Sequence, residues 1–141
     1  MVSYERRLIM YLLDTHVACW AVLDADRISK NTRKIIEEAL SVEKLAIADI
    51  SLWEIAMLIQ RRRLIVSLPL QQWIQQVVES LQLQVIPMTS QIVGDSVQLP
   101  ENFHADPADQ LIVATARCMN ATLITRDEKI LSWAKSGFVR I

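Results

Sequence analysis

Apolar positions recur along the chain in two rhythms, short runs of three or four and longer stretches spaced at helical intervals. Residues 10–13 form an apolar run that stops at Asp14, and residues 15–23 then read as a helix opening on a capping residue. Behind Ser29, the positions Ile35, Ile36, Ala39 and Leu40 line one side while Lys30, Arg33, Lys34, Glu37 and Glu38 take the other, which predicts a helix over 30–40. Residues 45–48 form a second strand. After Asp49 and Ser51, the positions Leu52, Ile55, Ala56 and Ile59 repeat at helical spacing, and a further amphipathic helix follows Pro69 over 70–81. A third strand is expected over 84–87 and a short helix capped by Thr89 and Ser90 to about 98. A helix restarting at Asp106 and Pro107 then leads to a fourth strand over 121–124. Residues 138–141 read as a last segment closing the sheet.

Strands alternating with helices imply βαβ units, hence an α/β fold with a mainly parallel sheet covered on both faces. The chain has 141 residues, 52% of them apolar, enough for one core. A single domain over 10–141 is expected, preceded by a flexible extension over 1–9.

Composition removes several function classes. Only Gly94 and Gly137 occur, so glycine-rich phosphate loops and the nucleophile elbow of serine hydrolases have no material. Cys19 and Cys118, far apart in a chain that needs no staples, read as two reduced, buried thiols. No apolar run approaches the ~20 residues of a membrane span. Glu5, Arg6 and Arg7 precede the first run without a small-residue cleavage site, so a cytoplasmic location is expected. Net charge is −1. Four carboxylates screened by metal would leave the remainder mildly basic.

Those four are Asp14, Glu54, Asp109 and Asp127. Taken singly, each has a capping explanation. Asp14 and Asp127 precede helices, Glu54 stands three after Ser51 as in a capping box, and Asp109 lies in a first turn behind Asp106 and Pro107. Taken together, each follows a strand or opens the helix after one, and a parallel sheet gathers such positions at one edge, where ligands bind. Carboxylates at that density repel unless a cation neutralises them, and hard divalent ions with oxygen ligands do so. Metal-assisted phosphodiester hydrolysis is the matching chemistry. Asp106 competes with Asp109 as a ligand, Asp49 reads as a turn or cap residue, and Asp95 and Glu101 read as solvated surface.

His16 and Cys19 lack partners at zinc-ligand spacing. His104 is an ordinary loop histidine or a substrate contact, and Trp20, Trp53, Trp73 and Trp133 read as core or interface. Arg61, Arg62 and Arg63 suit either a helix C-terminus or RNA phosphates, and Arg126 is a second phosphate candidate.

The segments YLLDTHVACWAVLD, SLWEIA, DPADQLIVATA and LITRDEKIL, in this order and spacing, resemble PIN-domain proteins, especially VapC-type toxins. The resemblance covers roughly residues 10–141. It implies a three-layer α/β/α sandwich and a Mg²⁺- or Mn²⁺-dependent endoribonuclease, the toxin of a type II toxin–antitoxin system. It places the family's four acids on Asp14, Glu54, Asp109 and Asp127, with Thr15 and Thr125 at its hydroxyl positions. It further implies a homodimer and a cognate antitoxin over the acidic groove. The helices at 52–59 and 70–81 carry more large apolar residues than one core face requires, which suits a partner helix. Two other functions compete. A non-catalytic PIN-fold RNA-binding or regulatory module is disfavoured by the retention of all four acids. A receiver-like phosphoacceptor needs paired acids after the first strand, where Asp14 stands alone.

Overall fold

The strands alternate their side chains between two cores, and that alternation fixes the layers. In the computed structural model, which describes residues 9–103, 105–135, 137, 139 and 141, Leu12, Ala46, Ala48 and Leu123 point to one face of a sheet. Leu13, Leu45, Ile47 and Ile124 point to the other. The strands are β1 (Tyr11–Leu13), β2 (Leu45–Ala48), β3 (Gln84–Ile86) and β4 (Thr122–Ile124), in the order β3-β2-β1-β4 and parallel throughout. All four residues of β2 are buried, as expected for a strand covered on both faces.

Seven helices flank the sheet among the described residues: α1 (Thr15–Leu23), α2 (Lys30–Ser41), α3 (Asp49–Gln60), α4 (Leu70–Ser80), α5 (Ser90–Ser96), α6 (Pro107–Cys118) and α7 (Glu128–Ala134). Val17, Ile36, Ile55, Trp73 and Val77 bring α1 to α4 onto one face. Ile92, Ile112, Val113, Ile130 and Trp133 bring α5, α6 and α7 onto the other. The result is the expected α/β/α sandwich.

Several expectations change. Of residues 138–141, Phe138 and Arg140 lie outside the described residues, Val139 packs in a bend against the core, and Ile141 is exposed; no strand forms at Val139 or Ile141. The extension, save Ile9, and His104 also lie outside them. Asp95 is not solvated surface. It is half-buried and holds the Arg117 guanidinium in two hydrogen bonds of 2.8 and 3.3 Å, tying α5 to α6. Cys19 is buried but Cys118 only half-buried. Trp73 and Trp133 are core residues, whereas Trp53 is 57% exposed.

The Ser51/Glu54 capping box does not form. Strand β2 passes directly into α3 at Asp49, the cap position is Ala48 without a side-chain bond, and Ser51 lies fully buried inside the first turn. Asp49 instead accepts the Met88 amide at 2.9 Å, joining α3 to the loop after β3. Among the described residues no helix is long and apolar enough to cross a membrane.

Candidate active site

Asp14 directly follows β1, and its amide donates to the Ile124 carbonyl at 2.9 Å, extending the ladder one residue past the strand. The side chain is buried, with Oδ1 accepting the Thr15 amide at 2.7 Å and Oδ2 accepting the Thr125 hydroxyl at 2.6 Å. The Asp127 amide in turn donates to Thr125 Oγ1 at 3.0 Å. The ends of β1 and β4 therefore hold one carboxylate rigidly. Burial pushes the Asp14 carboxyl above its ordinary range, against the lowering effect of its hydrogen bonds to Thr125 and Thr15.

Glu54 reaches the same place from the second turn of α3, and Asp109 from the first turn of α6. One oxygen from each of Asp14, Glu54 and Asp109 lies within 4.8 Å of the others. A helix N-terminus ordinarily favours an ionised acid. Asp109 is nevertheless pushed up to about 7, first by burial and then by the charges of Asp14, Glu54, Asp127 and Asp106. Glu54 Oε1 is buried with no hydrogen-bond partner, which for a carboxylate oxygen costs the full desolvation of that atom. Three acids from three separate elements, with protein donors on Asp14 but none on Glu54 Oε1, fit a hard divalent cation.

Asp127 stands outside this group. Its Oδ1 caps α7 by accepting the Ile130 amide at 3.0 Å, while its charge raises both Asp14 and Asp109. Asp106 precedes α6 without a side-chain cap bond and is exposed on the rim. Thr15 is buried, and its hydroxyl donates to Ser51 Oγ at 2.9 Å. The spacing in sequence reads Ser51 as a cap; only the true start of α3 turns its hydroxyl inward.

A groove of about 490 Å³ leads to Glu54 and is lined among others by His16, Trp20, Trp53, Met57, Arg61 and Arg63. The two arginines reach one groove because α3 ends in a tight reversal at Arg62, whose φ of 57° is left-handed. Arg62 is exposed at that corner. Trp20 is covered by the Arg27 guanidinium, 3.9 Å above its ring. The Arg126 guanidinium, exposed between β4 and α7, donates to the Arg27 carbonyl. Cys19 also lines the groove, but burial and then the charges of Glu54 and Asp14 push its thiol up to about 12, so it stays protonated and unreactive. The surplus apolar surface expected on two helices sits mainly on α3 at Trp53; on α4, Ile74 and Val78 pack partly against the core.

The family model described as PIN domain matches residues 11–135. Ribonuclease VapC22 of Mycobacterium tuberculosis (strain ATCC 25618 / H37Rv) is 36% identical over 121 residues, covering 86% of this chain and 89% of that protein. In the crystal structure of VapBC2 from Rickettsia felis bound to a DNA fragment from their promoter, one chain superposes with a TM-score of 0.67. The match has 18% identity and covers 94% of this chain and 96% of that one.

Proposed function

Because the chain belongs to the PIN domain family, we infer that it is a VapC-type ribonuclease and propose that Asp14, Glu54 and Asp109 hold the divalent ion its chemistry requires. The observation that carries this reading is the convergence of three carboxylates within 4.8 Å, with Glu54 Oε1 left unpaired. A Mg²⁺ or Mn²⁺ ion bound there supplies positive charge at a phosphoryl oxygen and acidifies an attacking water.

The chain's own residues supply the rest. Asp14, clamped by Thr15 and Thr125, presents its oxygens at a fixed place. Asp109, whose carboxyl is pushed up to about 7 in the bare site, would release its remaining proton to solvent when a cation is bound beside it. Asp127 adds negative field from the α7 cap and is the fourth acid of the proposed set, with Asp106 accessory to it on the rim. Arg61 and Arg63 flank the groove and suit backbone phosphates of a bound RNA, with Arg62 and Arg126 as outer contacts.

The reaction proposed is endonucleolytic hydrolysis of RNA phosphodiester bonds in the cytoplasm, by the toxin of a type II toxin–antitoxin pair that works as a homodimer. A cognate antitoxin would seat an apolar helix face against Trp53 and Met57 and direct a basic side chain at the acids. Its expected form is that of an inhibitor occupying the substrate's groove.

Purified protein freed of any antitoxin is expected to cut RNA only with Mg²⁺ or Mn²⁺ present. Asp14→Asn should lower the rate at least ~100-fold while retaining the fold by circular dichroism, since an acid supporting the transition state is worth several kcal/mol. Equal cutting by the variant overturns the proposal. An inert wild type that still binds metal would favour the binding-module alternative.

A further inference from the structure

Thr15 and Ser51 are both 0% exposed, and their hydroxyls meet at 2.9 Å across the interface between α1 and α3. Strands β1 and β2 are adjacent and parallel, so the two helices start side by side at the same sheet edge. Thr15 follows Asp14 directly and donates its amide to that carboxylate at 2.7 Å. Ser51 sits three residues before Glu54, one turn away on the same side of α3. The hydroxyl pair therefore lies between the supports of the two acids contributed by neighbouring strands.

Stability alone gives this pair little reason to be polar. A buried hydroxyl costs free energy unless bonded, the bond recovers only about 1 kcal/mol net, and an apolar pair of the same shape is nearly neutral. What the bond changes is distance. Oxygens in a hydrogen bond approach to 2.9 Å here, whereas apolar side chains rest at roughly 3.5–4.0 Å. Replacing the bond by van der Waals contact moves the two helix starts apart by a sizeable fraction of an ångström.

We infer that the Thr15–Ser51 hydroxyl pair is a positioning device, setting the Asp14 to Glu54 separation so that the site favours a small, strictly octahedral ion over a larger one. The inference rests on the metal-site reading above. Mg²⁺ demands near-ideal geometry at about 2.0–2.1 Å, while Ca²⁺ accepts 2.3–2.6 Å and irregular coordination. A slightly opened site therefore loses Mg²⁺ and keeps Ca²⁺.

The test is a Mn²⁺ titration of metal-free protein followed by electron paramagnetic resonance, with Mg²⁺ and Ca²⁺ as competitors. Thr15→Val, which sets a methyl against the Ser51 oxygen, is expected to weaken Mg²⁺ about tenfold, at the lower end for an outer-shell partner of a metal ligand, and Ca²⁺ less than ~threefold; Ser51→Ala, which removes the oxygen that fixes the separation, should move the ratio the same way by a smaller factor. Thr15→Ser, which keeps the hydroxyl and loses the methyl, should bind as wild type. Should Ser51→Ala fail to fold, the Thr15→Val and Thr15→Ser pair carries the test. An unchanged Mg²⁺ to Ca²⁺ ratio in Thr15→Val overturns the inference, as does Thr15→Ser behaving like Thr15→Val, or a wild type that binds neither ion. The ratio is read without RNA. A shifted ratio in a chain that cuts no RNA supports this inference and removes only the ribonuclease reading.

Discussion

Asp109 is held far from its solution behaviour, in a way a solution measurement can follow. Its carboxyl titrates near 7 in the folded, metal-free chain against an ordinary value of 3.8, because burial and four nearby acids oppose its charge. Between those two values the folded state holds a proton that the unfolded state has released. Stability of the metal-free chain therefore falls as pH rises from about 4 to about 7 and levels off above. Asp14, raised by burial, acts in the same direction. Melting temperatures measured in chelator across this range should show that descent, and Asp109→Asn should make it shallower. A chain whose melting temperature climbs from pH 4 to 7 with no contribution removable at Asp109 would contradict the assignment.

At the scale of elements, the helix ends show how a glycine-poor chain stops its helices. Helices α2, α3, α4 and α6 are each followed, two residues past their last helical residue, by one with left-handed φ, namely Glu43, Arg62, Gln82 and Asn120. In each case the amide after it bonds back across the last turn, as in Lys44 to Ala39, Arg63 to Leu58, Leu83 to Val78 and Ala121 to Ala116, all at 2.9 Å. This is the Schellman arrangement, whose usual residue is glycine. A side chain held in the left-handed region costs roughly 1–2 kcal/mol, offset partly by the lower entropy of a non-glycine unfolded chain. Glu43→Gly and Gln82→Gly should therefore each stabilise the fold by about 0.5–1 kcal/mol in urea denaturation, and Asn120→Gly by less, since asparagine tolerates this region. Loss of stability in the first two would mean that their side chains matter more than their backbone. Helix starts are simpler. Ser29, Thr89 and Asp127 accept the amide three residues on, as their residue types suggest.

Over the whole molecule, the site joins both layers of the sandwich. Asp14 directly follows a central strand, Glu54 comes from a helix on one face, and Asp109 from a helix on the other. A bound ion is thus a cross-link between layers as well as a chemical agent, and it binds only the folded chain. At about 100 times its dissociation constant it should add ~2.7 kcal/mol, which for a domain of this size raises the melting temperature by roughly 5–10 °C. Chelator should reverse the shift and Asp14→Asn should abolish it in differential scanning fluorimetry. A shift that survives in Asp14→Asn would locate the ion elsewhere.

The amino-acid pattern alone determined the parallel α/β sandwich, the order of its elements and the acids worth testing. It could do so because periodicity and helix-start chemistry are local: the apolar run before Asp14, the cap Ser29 and the Asp106–Pro107 start are each read from a few neighbouring residues. The same locality offered Ser51 and Glu54 a capping-box explanation that does not hold, since the start of α3 is set by where β2 leaves the sheet. It also left Asp95 on the surface, because its partner Arg117 stands 22 residues away. Tertiary structure decided which acids meet: Asp14, Glu54 and Asp109 share one small volume, while Asp127 stands beside it as a cap. Convergence is a property of strand order and helix packing, and no stretch of sequence encodes a distance between residues forty or ninety positions apart.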